Sequence, residues 1–183
     1  VVFVLSRYKF VAKMLQDKNN VLEVGCADAF GSRIVADAVK NLTVSDIDPL
    51  FIESVKKDAR YAWQENAVVH DILSSPTAQK HDAVYCLDVF EHIRPKDETT
   101  LLTNLSNSIH DKGIAIIGIP SLESQKYASK YSKEGHVNCL SGDVFKEHLE
   151  NHFHHVFLFS MNDEVVHTGF SPMAHYLFAL CVK

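Results

Sequence analysis

The chain has 183 residues, 46% hydrophobic and 22% charged, a size and balance that fit one domain able to bury a substantial core. A formal charge of −5 excludes a blanket electrostatic attraction to nucleic acid or anionic membrane, although Arg7, Lys9 and Lys13 are spaced to form a small basic patch. No apolar run approaches the roughly 20 residues needed to span a bilayer, and the Val1–Leu5 run is too short for a signal peptide. Cys26, Cys86, Cys139 and Cys181 form no CxxC pair, which fits free thiols in a reducing cytoplasm. The chain opens on Val1 rather than Met, as expected of a sequence trimmed in its N-terminal stretch, residues 1–20.

Residues 3–16 carry apolar groups at Phe3, Val4, Tyr8, Val11, Ala12 and Leu15, a helical spacing with the basic residues on the other face. Val21, Leu22 and Val24 suit a central strand that is apolar on both sides. Gly25 then allows a tight turn and a close approach of ligand to backbone. A helix opening near Phe30 and carrying Ile34, Val35, Ala38 and Val39 presents unpaired N–H groups to that turn. Leu42–Ser45 reads as the second strand, and Pro49 opens a helix with Phe51, Ile52 and Val55 inward. Ala67–Val69 and Ala83–Leu87 are the third and fourth strands. Thr99–Ile109 is an amphipathic helix, Asp111–Gly113 a turn, and Ile114–Ile119 the fifth strand. A polar, tyrosine-bearing excursion follows over 121–135, and Ser141 caps a helix with Val144, Phe145, His148 and Leu149. Val156–Ser160 and Tyr176–Val182 close the chain as two strands without a helix between them. Strands alternating with helices argue for a parallel sheet, and the closing pair for an antiparallel edge.

In such a sheet ligands bind beyond the carboxyl ends of the strands. Four acids stand there: Glu23, Asp46, Asp71 and Asp88. Asp46 lies 21 positions after Gly25, the spacing at which an acid accepts both ribose hydroxyls. Asp71 is placed to accept from an exocyclic amine, with Ile47 and Ile72 as apolar walls for the base. Glu23 and Asp88 add negative charge, which would repel a pyrophosphate and attract a sulfonium or an amine. The ligand these residues fit is a nucleoside with a cationic tail.

At this point the chain resembles the class I S-adenosylmethionine-dependent methyltransferases, particularly their small-molecule branch, from about Val21 to the end. Val-Leu-Glu-Val-Gly-Cys (21–26) is similar to their first motif, and Val-Ser-Asp-Ile-Asp-Pro (44–49) to their ribose-binding segment. Val-Val-His-Asp-Ile (68–72), His-Asp-Ala-Val-Tyr-Cys-Leu-Asp-Val-Phe-Glu-His-Ile (81–93) and Lys-Gly-Ile-Ala-Ile-Ile-Gly-Ile-Pro (112–120) resemble the adenine-binding, fourth-strand and fifth-strand motifs. The resemblance implies a three-layer, Rossmann-like, seven-stranded and mostly parallel sheet with an antiparallel C-terminal strand. It implies that Gly25, Cys26 and Ala27 cradle the methionine part, Asp46 holds the ribose, Asp71 and Ile72 read the adenine, and the Leu87 carbonyl meets the α-amino group. The Arg7-Tyr8 pair is similar to a segment that closes over the methionine carboxylate in some relatives. The chain departs from the pattern at Ala27 and Ala29, where the family usually or often has Gly.

The whole chain, 1–183, is expected to be one domain with acceptor-site loops at 121–140 and 161–175. Its expected activity is in-line methyl transfer from S-adenosylmethionine to an oxygen or nitrogen of a small molecule, leaving S-adenosylhomocysteine. His136 is the general-base candidate, with a structural or substrate-orienting role an open alternative. His167 and His175 are further pocket candidates, Tyr127, Tyr131 and Phe170 either line the acceptor site or pack, and His92 has no role assigned. By the resemblance Glu91 belongs to the scaffold. His152, His154 and His155 lack a carboxylate partner at ligand spacing, and no metal site is expected. Without an Asn/Asp-Pro-Pro-Tyr-type segment, no nucleic-acid partner is expected, and none in the membrane. Two readings from other classes stay open: a non-catalytic binding or regulatory relative, motivated by Ala27, and a nicotinamide-dependent oxidoreductase, since Asp46 also suits its ribose.

Overall fold

The computed structural model describes residues 1–58 and 60–183. Val21, Leu22 and Val24 are almost wholly shielded from water, as a strand covered on both faces requires. They belong to β1 (Asn20–Val24), which lies between β2 (Asn41–Asp46) and β4 (His81–Leu87), both parallel to it. β3 (Val68–Val69) continues the sheet beyond β2, and β5 (Ile109–Pro120) beyond β4, again in parallel. β8 (Tyr176–Val182) runs antiparallel to β5 and pairs antiparallel with β6 (His155–Met161), which in turn pairs with β7 (Val166–His167). The order is β3-β2-β1-β4-β5-β8-β6-β7, a Rossmann-like and mostly parallel sheet with antiparallel C-terminal strands. Among the described residues it has eight strands where seven are expected, the extra one being two-residue β7, which lies within the stretch 161–175 expected to be a loop.

Alternate residues along the strands feed two separate cores. Val21, Leu42, Val44 and Tyr85 pack under α1 (Val2–Met14), α2 (Ser32–Ala36) and α3 (Pro49–Asp58). Leu22, Val84, Cys86 and Ile117 pack under α4 (Glu98–Asn107) and α6 (Gly142–Glu150). Three layers result, and the carboxyl ends of β1 to β5 lie along one rim. The four cysteines are free, with Cys26, Cys86 and Cys181 buried and Cys139 half-buried. Among the described residues no helix is long and apolar enough to cross a membrane.

Several local expectations are corrected. Arg7 does not share a solvent-facing basic patch with Lys9 and Lys13: it is buried, its guanidinium lying 3.9 Å from the centre of the Tyr176 ring and paired with Asp88. Asp88 supplies the counter-charge a buried guanidinium needs, and it lies too far along the chain for helical periodicity to reveal. The Asp111–Gly113 turn sits inside β5 as an irregularity: pairing jumps from His81↔Ile109 to Ala83↔Ile114, with Lys112 at φ +66°. Phe51 turns away from the core, where Ile52 and Val55 suffice to seat α3. Ser141 does precede α6, but its side chain makes no capping bond, whereas Ser129 accepts from the Ser132 N–H at the start of α5 (Lys130–Gly135).

Candidate active site

The turn after β1 is anchored from below. The Gly25 and Cys26 N–H groups both donate to the Ser45 carbonyl, at 2.8 and 3.0 Å, bending the chain sharply off the strand. Gly25 has φ +77°, and a Cβ there would stand 2.3 Å from Val89 Cγ2, so both conformation and space demand glycine. Ala27 and Ala29 also hold left-handed conformations, φ +47° and +53°. The loop therefore keeps a glycine-type path although alanine occupies two of its turns. Asp46 fixes it in place: Oδ2 accepts from the Ala27 N–H and Oδ1 from the Asp48 N–H, each at 2.9 Å. Each carboxylate oxygen retains a lone pair, and together they match two adjacent hydroxyls.

Gly25, Ala27, Asp46, Ile47, Asp71, Ile72 and Asp88 line one cleft of about 430 Å³ beyond the strand ends. Val24, Phe51, His70, Leu73, Val89, His92 and Ile93 complete it, none of which the sequence singled out as a ligand contact. Phe51 and Ile47 are 41% and 65% exposed and give the cleft an apolar wall. Asp71 is shaped by an Asx turn, its Oδ1 accepting from the Leu73 N–H at 2.9 Å.

Other sequence candidates stand behind the cleft. Glu23 is buried and accepts from Tyr85 Oη at 2.7 Å, and burial pushes its carboxyl up to about 7. It supports the floor under the glycine turn rather than facing ligand, which corrects the expectation drawn from its charge. Tyr8 packs edge-on to Tyr85 and against Gly31, where a Cβ would meet its ring at 2.2 Å. Cys26 is buried, its thiol pushed up by desolvation, and it does not line the cleft. Leu87, the last residue of β4, is buried too, and Asp88 follows it at φ +57° with its side chain half-exposed toward the cleft.

A second pocket of about 300 Å³ adjoins the first, and Asp88 and His92 line both. Arg7, Glu91, Pro120, Ser124, Gln125, Tyr127, His136 and His175 are also in its wall. Tyr131 faces a neighbouring hollow with His92 and His136. His167 and Phe170 line neither pocket; His167 Nδ1 accepts from the Gly169 N–H. His136 Nδ1 lies 2.9 Å from Gln125 Oε1, and desolvation, followed by the nearby His92, lowers its pKa below 6.5. Glu91 is buried, and desolvation followed by Asp88 raises its carboxyl to about 8. The structure thus brings Glu91 and His92 against His136, a grouping invisible to sequence because separate segments contribute it. His154 and His155 meet edge to face, 4.5 Å between ring centres, and His155 also packs against Phe157.

A family model described as a methyltransferase domain matches residues 21–113, just over half of the chain. No curated protein matches. Among solved structures, the N-methyltransferase NodS from Bradyrhizobium japonicum in complex with S-adenosyl-L-homocysteine is similar at TM-score 0.70 and 19% identity, over 98% of this chain and 85% of that one. The methyltransferase domain of bacterial CtHen1 reaches TM-score 0.78 at 12% identity, over 99% and 100%. A TehB-like SAM-dependent methyltransferase from Corynebacterium glutamicum gives 0.70 at 16%, over 100% and 89%. At these identities the likeness is one of fold.

Proposed function

The chain belongs to the methyltransferase domain family as an S-adenosylmethionine-dependent class I enzyme, and from that premise we propose that it methylates an oxygen or nitrogen of a small molecule held in the second pocket. The observation that carries this reading is the junction of two pockets at Asp88 and His92. One has the acids and apolar walls for a nucleoside, and the other has the size and mixed lining for a compact acceptor.

When bound, S-adenosylmethionine supplies an electrophilic methyl: the acceptor's lone pair forms the new bond as the carbon–sulfur bond breaks onto sulfur, leaving S-adenosylhomocysteine. The residues present fit that group. Asp46 offers a lone pair on each carboxylate oxygen to the ribose hydroxyls, while Asp71 accepts from the adenine amine and Ile47, Ile72 and Phe51 flank the ring. Gly25 and Ala27 let backbone approach the amino-acid end. The Arg7–Asp88 ion pair suits a zwitterion, the guanidinium taking a carboxylate and Asp88, with the Leu87 carbonyl, an ammonium. Cys26, Glu23 and Tyr8 act from beneath by holding the turn.

Methyl transfer is chiefly a matter of alignment, so walls that fix the acceptor near the junction supply much of the acceleration. An acceptor that must lose a proton needs a base. His136 Nδ1 is engaged by Gln125, and the neutral ring keeps the other nitrogen's lone pair for the pocket. The single-domain organisation over 1–183 and the acceptor loops at 121–140 and 161–175 belong to the same proposal. A screen of small phenols, alcohols and amines, reading S-adenosylhomocysteine and methylated product by mass spectrometry, tests it. Turnover of a small acceptor, reduced on the order of 100-fold in kcat by His136→Ala for a hydroxyl substrate, is expected. Turnover confined to protein or nucleic acid would refute it.

A further inference from the structure

Glu91, His92 and His136 are clamped together by backbone. The Glu91 carbonyl accepts from the Val137 N–H at 2.8 Å and the Asn138 N–H at 3.0 Å, tying the turn after β4 to the segment after α5. Asn138 is held in turn by its side-chain bond to Glu98 Oε2, at 3.0 Å. One donor atom from each of the three residues lies within 4.8 Å of the other two. Both imidazoles are already oriented: His92 Nδ1 lies 2.9 Å from the Gly135 carbonyl, and His136 Nδ1 2.9 Å from Gln125 Oε1. With the proton assigned to Nδ1 in each ring, both Nε2 lone pairs are free, the arrangement that outer partners impose on metal-ligating histidines. Glu91 adds an independent observation. Its Oε2 is buried and has no hydrogen-bond partner, a costly state that a neighbouring cation would relieve.

We propose that Glu91, His92 and His136 form a site for a divalent first-row cation of the Zn²⁺ or Mn²⁺ kind, and that the cation receives a hydroxyl of the methyl acceptor. The second half rests on reading the adjoining pocket as the acceptor site. Two imidazoles and a carboxylate are ligands of suitable hardness for such ions. Donors about 2.0–2.1 Å from zinc stand about 3.3 Å apart, so the cluster tightens on loading through side-chain rotation, which half-buried His136 and exposed His92 permit. Three protein ligands leave coordination positions open, the mark of a catalytic rather than a structural site. A bound cation lowers the pKa of a coordinated hydroxyl, whose proton passes to water. In the loaded protein the His136 lone pair is spent on the cation, and this acidification takes over the task of a base. Because His92 lines both pockets, the resulting oxyanion stands at their junction. The site thus favours oxygen acceptors, vicinal diols and catechols above all.

The full chain, stripped with chelator, is titrated with Co²⁺ and followed by visible absorption and calorimetry. Glu91→Gln, His136→Ala and His154→Ala are treated alike, with S-adenosylhomocysteine binding and circular dichroism recorded for each. One Co²⁺ per chain is expected in the wild type and in His154→Ala, with affinity lost on the order of 100-fold in the other two variants. S-adenosylhomocysteine binding should be unchanged throughout, and added catechol should shift the Co²⁺ bands. Wild type that binds S-adenosylhomocysteine but no Co²⁺, or Co²⁺ held equally well by Glu91→Gln and His136→Ala, overturns the metal site and leaves the methyltransferase reading standing. Unshifted bands with catechol overturn the acceptor assignment. Co²⁺ held through Glu91 and His136 by a folded protein that ignores S-adenosylhomocysteine supports the site and overturns the methyl-transfer reading instead.

Discussion

Replacing Ala27 by glycine should stabilise the protein, and replacing Ala29 should not. Both residues sit at positive φ, +47° and +53°, where an L-residue with a Cβ loses roughly 1–2 kcal/mol relative to right-handed backbone. Glycine removes that strain but returns about 0.5–1 kcal/mol of freedom to the unfolded chain. For Ala27, whose methyl is exposed at the cleft, the balance is a gain of about 0.5–1 kcal/mol. Ala29 is 3% exposed, and losing its buried methyl costs about 0.8 kcal/mol more, which cancels the gain. In a chain of this length Ala27→Gly should raise Tm by roughly 1–3 °C, and Ala29→Gly should leave it unmoved or lower it. Calorimetric melting with urea titration at one pH measures both. Loss of stability in Ala27→Gly, or a larger gain in Ala29→Gly, would refute the assignment of strain and burial. Because the Ala27 methyl also lines the cleft, S-adenosylhomocysteine should bind Ala27→Gly at least as tightly as the wild type.

Gly25→Ala should abolish S-adenosylhomocysteine binding and cost on the order of 2–4 kcal/mol in urea unfolding, since the new methyl meets Val89 Cγ2 at 2.3 Å on a backbone of positive φ. Burial raises the Glu23 carboxyl from 4.5 to about 7, so between those values the folded protein keeps a proton that the unfolded chain has released. Stability therefore falls as pH rises through that window, by on the order of 3 kcal/mol from this group, and is level above it. Glu23→Gln, which can still accept from Tyr85, should remove that part of the slope in unfolding measured from pH 4.5 to 8 and leave the part due to Glu91. Asp71→Asn should weaken S-adenosylhomocysteine by about 1–2 kcal/mol, read by calorimetry, while the affinity for S-adenosyl analogues lacking the adenine amine changes little.

The sheet and much of the lining of the first cleft were legible because their signals are local. Val21–Val24, Leu42–Ser45 and Ala83–Leu87 are short, mostly apolar runs, the last two followed at once by Asp46 and Asp88, and strand direction carries Asp46, Asp71 and Asp88 to one rim. What escaped depends on contacts distant in sequence. Arg7 reads as a surface cation until Asp88 and Tyr176 are placed around it. Glu23 has the charge of a ligand contact, but the alternation of β1 turns its side chain to the layer shared with Tyr85. Phe51 fits a buried stripe by spacing, yet one helical step from Ile52 is enough to face it to the cleft. Glu91 and His92 meet His136 through backbone ties, the Glu91 carbonyl to Val137 and Asn138 and the His92 ring to the Gly135 carbonyl, which have no counterpart in residue patterning.

The central claim is that the cleft beyond β1, β2 and β3 holds S-adenosylmethionine through Asp46. Titrating the wild type and Asp46→Ala with S-adenosylhomocysteine in a calorimeter tests it directly. Micromolar binding to the wild type, lost by at least about 100-fold in a variant that remains folded, is the predicted result, because the substitution removes both ribose acceptors and the Ala27 anchor together. Equal affinity in the two proteins, or no binding to a folded wild type, would contradict it.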